Sequence, residues 1–341
     1  MLKGKVYKST GSWYNVKAED GKFYDCRIKG KFRIQGIKTT NPVSVGDEVM
    51  IKIEASGTAV IQEILPRKNY IIRKSVNLSK QTHIIASNID VAFLLVTYNN
   101  PPTLTPFIDR FLVTAEAYQI PAVLLFNKID TYSEEELDEV RFLYGMYESI
   151  GYKGIGISAK TGKNLDKVKA EMSGKTCLFS GHSGTGKSTL MNQVAPGLNI
   201  KTAELSETHT QGQHTTTFAQ MYDVDEETRL IDTPGIKGFG VVDMDPQEID
   251  NYFPEFFALK QDCKFNDCLH VNEPKCAVKK AVEKVEIPSS RYESYLQMIT
   301  PNKENYRIDK HHQECELFYN ESKKPRFPLR GLKNQKSAKD F

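Results

Sequence analysis

The sequence predicts a multidomain α/β protein: an N-terminal OB-type β-barrel, a central mostly parallel sheet with helices on both faces, and a C-terminal helical module. Three observations carry this. Short alternating segments fill roughly the first 66 residues, continuous apolar runs alternate with helical stretches from about 70 to 245, and a Cys/His cluster followed by two amphipathic stretches lies beyond. The length, 341 residues, suits two or three domains. The expected divisions are 1–68, 69–245, 246–300 and a C-terminal extension over 301–341.

Composition bounds the function. A hydrophobic fraction of 39% supplies real cores, and 46 Lys and Arg against 43 Asp and Glu leave a net charge of +3. Any basic surface must therefore be local. The longest apolar runs, Val91–Val96 and Ala122–Phe126, fall far short of the ~20 residues that span a bilayer. No apolar stretch follows Met1–Lys5, so a secretory signal is not expected. The expectation is a cytoplasmic monomer without a membrane partner.

In the first region, Val49, Ile51 and Ile53 alternate with Met50 and Lys52, and Phe23, Asp25 and Arg27 with Tyr24, Cys26 and Ile28. Glu19–Asp20–Gly21 and Val45–Gly46–Asp47 supply turns. About five short strands in this length fit a small closed barrel. The first forty residues hold ten Lys and Arg but three acids, with Trp13, Tyr14, Phe23 and Tyr24 among them. That mixture suits a surface that tracks a nucleic-acid backbone and stacks bases. It equally suits an aromatic barrel core under solvated lysines.

In the second region, Asp90–Val96, Ala122–Phe126, Gly154–Ile157, Thr176–Phe179 and Arg229–Ile231 are strand-length apolar runs without alternation. Such runs mark strands buried on both faces of a parallel sheet. Ser133 and Glu136 form a capping box ahead of Leu137, Val140 and Tyr144 at helical spacing. In the third region, Val278, Ala281, Val282 and Val285 share a helical face, and Ser290 with Glu293 predicts a second capping box before Tyr295, Leu296 and Ile299. Residues 321–341 carry seven Lys and Arg against Glu321 and Asp340 and have almost no apolar periodicity, as expected of a mobile tail.

The chemistry sits at the ends of those runs. Gly181–His182–Ser183–Gly184–Thr185–Gly186–Lys187–Ser188 follows a strand and precedes the helical stretch that opens at Thr189. This is the phosphate-loop pattern: the glycines let backbone N–H groups face the phosphates, Lys187 reaches the β- and γ-phosphates, and Ser188 holds Mg²⁺. Asn127–Lys128–Ile129–Asp130 follows another strand. A carboxylate at Asp130 can accept from N1–H and the 2-amino group of guanine, donors that adenine lacks, while Asn127 suits the N7 side and the Lys128 stem covers the ring. Ser158–Ala159–Lys160 follows a third strand, where a backbone N–H, that of Ala159, suits guanine O6. Asp232–Thr233–Pro234–Gly235 follows a fourth: Asp232 reaches Mg²⁺ through water and the Gly235 N–H senses the γ-phosphate. One threonine of Thr215–Thr217, with Thr216 the choice, closes the Mg²⁺ shell. Together these residues predict a GTPase that binds GTP and GDP. The base-reading motifs precede the phosphate loop, whereas GTPases ordinarily have them after it, so the domain is circularly permuted.

Cys263, Cys268, His270 and Cys276 place three thiols and an imidazole within fourteen residues. Four closely spaced soft ligands suit a closed tetrahedral Zn²⁺ site with a structural role. Cys26, Cys177 and Cys315 stand apart, and Cys177 reads as a core residue.

The permuted order, Gly212–Gln213–His214–Thr215–Thr216–Thr217, the run Asp232 to Gly240 and the Cys-x4-Cys-x-His-x5-Cys module resemble the bacterial ribosome small-subunit-dependent GTPase A family over about residues 1–300. The resemblance implies binding to the small ribosomal subunit and its rRNA late in maturation, with slow GTP hydrolysis stimulated by that subunit. This sequence has His182 where the family often has Gln, and Gly–Gln before His214 where the family has Gly–Arg. Ile236 occupies the position at which many GTPases orient the attacking water with Gln. His214 is the candidate for that task, its family equivalent being suspected of it; a loop histidine that only orders the switch is the alternative. The chain from 235 to 242 leads into the metal module, so nucleotide state is expected to alter RNA affinity. Other readings are a factor acting on translating ribosomes, a small-molecule kinase, which Asp130 argues against, and a binding protein with incidental turnover.

Overall fold

The computed structural model describes residues 1–28, 42–54, 57–74, 82–198, 219–232 and 244–300. Two compact units emerge. One combines Met1–Leu104 with Phe111–Val242, the other Thr105–Arg110 with the chain from Asp243 onward.

The first unit opens with β1 (Leu2–Ser9), β2 (Tyr14–Ala18), β3 (Phe23–Ile28), β4 (Glu48–Ile53) and β5 (Ala59–Ile64). β1 pairs with β2 and β4, β2 with β3, β3 with β5 in parallel, and β5 with β4, which closes the barrel. Closure leaves no free edge within it. Val6, Tyr14, Val16, Cys26, Val49, Ile51 and Ile61 fill the interior. The aromatic residues divide between the two roles open at the sequence level. Tyr14 is core at 1% exposure, while Trp13 at 37% and Phe23 at 52% face solvent. The Arg27 guanidinium lies 3.9 Å from the Trp13 ring centroid. Ile53, expected to alternate inward, is exposed at the end of β4.

β6 (Tyr70–Lys74) and β7 (Thr82–Ser87) form a separate antiparallel hairpin. No sequence signal marked it. The buried Asp47 carboxylate beyond the Gly46 turn accepts from Arg67 Nε and Nη2 and from Ser87 Oγ, which fastens the barrel to this hairpin.

The second sheet follows: β8 (Val91–Val96), α1 (Thr105–Ala117), β9 (Ala122–Phe126), α2 (Glu134–Ser149), β10 (Lys153–Gly156), α3 (Leu165–Met172), β11 (Thr176–Ser180), α4 (Lys187–Val194), β12 (Gln220–Asp223) and β13 (Arg229–Asp232). The strand order is β10-β9-β8-β11-β13-β12. All are parallel except β12, antiparallel to β13. Leu165, Val168 and Met172 of α3 and Leu190, Met191 and Val194 of α4 share one core with Phe93, Leu95, Leu125 and Phe179. The predicted capping box forms: the Ser133 side chain accepts from Glu136 N–H, and the Glu136 carboxylate from Ser133 N–H. β12 also bridges to β1 at Lys8 and Gln220, so barrel and sheet are one hydrogen-bonded surface.

The second unit holds the first turns of α1 (Thr105–Arg110), a short 3₁₀ turn (Ile249–Tyr252), α5 (Pro254–Leu259), α6 (Ala277–Glu283) and α7 (Ser289–Ile299). Two expectations are corrected here. The Ser290–Glu293 box is not the helix start: α7 begins at Ser289 behind an extended Pro288 at the N-cap, so Ser290 lies inside the helix. Pro288 supplies a fixed φ where a capping side chain would otherwise set the entry. Val285 is not on the buried face of α6. The chain reverses there with φ 63°, leaving Val285 44% exposed and burying Ile287 instead.

Candidate functional site

Asn127–Asp130, Ser158–Lys160, Gly181–Ser188 and Asp232 all lie at the carboxyl ends of parallel strands: β9, β10, β11 and β13. One edge of the sheet therefore carries all four motifs, although they are scattered through more than a hundred residues. Ligands in open α/β sheets bind outside this edge.

Asn127, expected to suit the N7 side of a base, is 2% exposed and bonds to other motifs through both ends of its amide. Its Nδ2 donates to Thr185 O of the phosphate loop at 2.7 Å, and its Oδ1 accepts from Ala159 N–H at 2.9 Å. Asn127 therefore ties three motifs together. The peptide hydrogen that the sequence directs at guanine O6 points at Asn127 here. Asn127 O accepts from Tyr132 Oη, which in turn accepts from Tyr98 N–H, so the strut is itself braced. No sequence pattern marked Tyr132 or Thr185 for that task. The turn beyond is closed by Thr131, whose N–H and Oγ1 both donate to Lys128 O. Lys128 takes φ 70°, its Nζ donates to Asn100 O, and burial lowers its pKa below the ordinary lysine value. Ile129 is buried and Asp130 exposed. Ser158 is fully buried, and its Oγ accepts from Thr161 N–H at 3.0 Å, fixing the turn of the third motif.

In the phosphate loop, Gly181, Gly184 and Gly186 have φ 153°, 84° and 93°. Gly186 is constrained twice over. Beyond its left-handed backbone, a Cβ there would lie 2.4 Å from Asn127 Nδ2. Thr185 Oγ1 donates back to His182 O at 2.9 Å, and Ser183 stands exposed at the loop tip. Ser188 and Thr189 sit half-buried in the first turn of α4. Lys187 Nζ lies 3.5 Å from Gly181 O. Burial pulls the Lys187 pKa below its ordinary value, with Asp232 opposing. Burial pushes Asp232 up, with Lys187 opposing. Each charge is thus held in a place that lacks its full complement, as suits a site built for an anion and a cation. His214, Thr216 and Gly235 lie outside the described residues.

The metal-ligand expectation concerns the second unit. Cys263, Cys268, His270 and Cys276 bring one ligand atom each to within 4.8 Å of one another. Cys263 Sγ is 3.8 Å from Cys276 Sγ, and His270 Nδ1 is 3.7 and 3.3 Å from those two sulfurs. Ligands at zinc bond lengths on a tetrahedron stand about 3.3–3.8 Å apart, so the donors fit. Backbone N–H groups of Ala277 and Lys279 donate to Cys263 Sγ and Cys276 Sγ. Burial pushes the Cys268 thiol up to about 12 and raises Cys276 as well, which makes a clustered thiolate set costly without a cation. Cys177 is core, as expected.

A family model described as RsgA GTPase matches residues 64–242, one described as RsgA N-terminal domain matches 3–61, and one described as 50S ribosome-binding GTPase matches 176–318. The chain is 68% identical over 313 residues to the small ribosomal subunit biogenesis GTPase RsgA of Christiangramia forsetii, covering 91% of this chain and 99% of the relative. It is 61% identical over 311 residues to that of Flavobacterium johnsoniae, covering 90% and 96%. Among solved structures, YjeQ from Thermotoga maritima aligns with a TM-score of 0.71 at 37% identity over 87% of this chain and 97% of that one. YloQ, a circularly permuted GTPase, aligns at 0.69 and 29% over 89% and 96%. The closed barrel, the four motifs in permuted order on one sheet edge and the Cys₃His cluster agree with this similarity along nine-tenths of the chain: the protein belongs to the RsgA GTPase family.

Proposed function

We propose that this GTPase hydrolyses GTP while bound to the small ribosomal subunit and its rRNA, and assists that subunit's late maturation. The observation that carries the reading is the Asn127 strut, which joins base-reading and phosphate-binding loops into one site. The names of the Christiangramia and Flavobacterium relatives support the subunit.

In this reading Asp130 accepts from guanine N1–H and the 2-amino group. Gly181–Thr189 enclose the phosphates with backbone N–H groups, and Lys187 neutralises charge at the β,γ-bridge. Ser188, Asp232 and Thr216 would hold Mg²⁺, which offsets charge on the phosphate oxygens. His214 positions the attacking water, since Ile236 has no group for the task, and the Gly235 N–H senses the γ-phosphate. Cys263, Cys268, His270 and Cys276 would hold one structural Zn²⁺. Among the described residues no helix is long and apolar enough to cross a membrane. A cytoplasmic monomer is the form proposed. The solvent-facing Trp13, Phe23 and Arg27 of the barrel offer stacking and charge to RNA.

The test is GTP turnover by the purified chain alone, with small subunits, and with large subunits, with ATP as the nucleotide control. Stimulation by small subunits only, with GTP only, is expected. The model described as a 50S ribosome-binding GTPase favours a second reading, in which large subunits stimulate instead. Stimulation by neither subunit would overturn both.

A further inference from the structure

His270 is fully buried, and its two ring nitrogens have different surroundings. Nδ1 faces the sulfurs of Cys263 and Cys276. Nε2 faces Asp250 Oδ2 at 3.4 Å, at the long end of a hydrogen bond. Asp250 comes from the 3₁₀ turn Ile249–Tyr252, outside the cysteine loop, and is 6% exposed. Its Oδ2 also accepts from Lys260 Nζ at 3.1 Å. The rest of the imidazole's surroundings are aromatic: Phe256 stands edge-on with centroids 5.9 Å apart, and Tyr295 lies tilted at 6.0 Å. The His270 carbonyl accepts from Tyr292 Oη at 2.6 Å, which fixes the backbone, so the orientation of the ring is left to its own side-chain partners.

We propose that Asp250 is the outer-sphere carboxylate of this metal cluster, a positioning residue that accepts the Nε2–H of His270 and so commits Nδ1 to the metal. A neutral imidazole carries one proton, and a carboxylate beside Nε2 favours the tautomer with the proton there, freeing the Nδ1 lone pair. Lys260 donates to the same oxygen and holds the carboxylate in place. The inference rests on the zinc reading made above.

Zinc affinity of the full-length chain, measured by competition with a chromophoric chelator, tests it, together with the ¹⁵N–¹H signal of His270 Nε2. The wild type is expected to hold one zinc with a slowly exchanging Nε2–H. D250A should loosen zinc about 10–100-fold and speed that exchange. D250N keeps an acceptor oxygen and should fall between, which also covers the case in which D250A fails to fold. K260M, which leaves Asp250 in place, should hold zinc more tightly than D250A does. Wild-type affinity in both Asp250 variants would overturn the proposal, as would equal loosening by K260M and D250A. A wild type that holds no zinc would overturn the zinc reading itself, and the inference with it.

Discussion

At Asp130 an exposed carboxylate stands beyond the buried Asn127, whose amide bonds to two other motifs; in the proposed reading base selection and site assembly thus fall to different residues of one short motif. In D130N an amide nitrogen would meet the N1–H and 2-amino donors of guanine, and GTP affinity should fall on the order of 10⁴-fold. Xanthosine triphosphate, with oxygen at C2, should gain. Titration with both nucleotides checks this, and unchanged GTP binding would show that the base is read elsewhere. Lys187 makes a prediction about stability. Its folded pKa lies below the ordinary 10.5, so the folded state holds the proton less tightly than the unfolded chain. The cost is complete below the folded pKa and fades as pH rises toward the unfolded value. K187M should therefore raise the melting midpoint of the nucleotide-free protein at pH 7, by a few degrees per kcal/mol removed, and lose that gain in alkali, while GTP turnover disappears. The motif residues were legible in sequence because each motif is contiguous. The strut was not, because Thr185 and Ala159 lie 58 and 32 positions from Asn127. Asp250 was hidden for the same reason, 20 positions from His270.

The elements were legible where local chemistry decides them and obscure where tertiary packing does. α2 starts at its capping box as read, whereas α7 takes its start from Pro288. What holds α7 is non-local. The fully buried Arg291 donates from Nη1 to Asp109 of α1 at 2.8 Å and from Nε to Glu255 of α5 at 2.7 Å, with its guanidinium 4.4 Å from the Phe253 ring centroid. Its position on the inward face of α7 gives no hint of a charge, and hydropathy would assign it to solvent. R291M fills the space but strips both carboxylates of their guanidinium. Breaking a buried pair in this way costs about 3–5 kcal/mol. Urea denaturation followed by helical signal should show that loss in the second unit, and a shift within 0.5 kcal/mol would mean that the carboxylates find other partners. The β6–β7 hairpin is the opposite case. Nothing distinguished it in sequence, because its pairing is set by contacts outside itself, Asp47 with Ser87 among them.

At the scale of the molecule, the permuted order puts the Asp232–Gly235 motif just before the metal-ligand cysteines in the sequence and the barrel just before the nucleotide-binding sheet. If both flanks bind RNA and the nucleotide state changes their pose, nucleotide and RNA affinities are coupled, and the coupling is reciprocal. The GTP-bound form is expected to bind small subunits more tightly than the GDP-bound form, with subunits raising GTP affinity by the same factor. Equal subunit affinity of the two forms, measured by co-sedimentation, would remove the coupling. The architecture was readable this far because sheet, barrel and cluster each leave a local signature; that barrel and sheet share an edge was not. β1 meets β12 at a single bridge, reinforced by Asp223, which accepts from Tyr7 Oη and Lys17 Nζ, and by Arg229 Nε donating to Tyr7 Oη. The border strand of the nucleotide-binding sheet is thereby shielded from strangers. A chain cut free of residues 1–64 would offer the backbone of Gln220–Asp223 as a template to its own copies, so its characteristic failure would be clumping rather than unfolding.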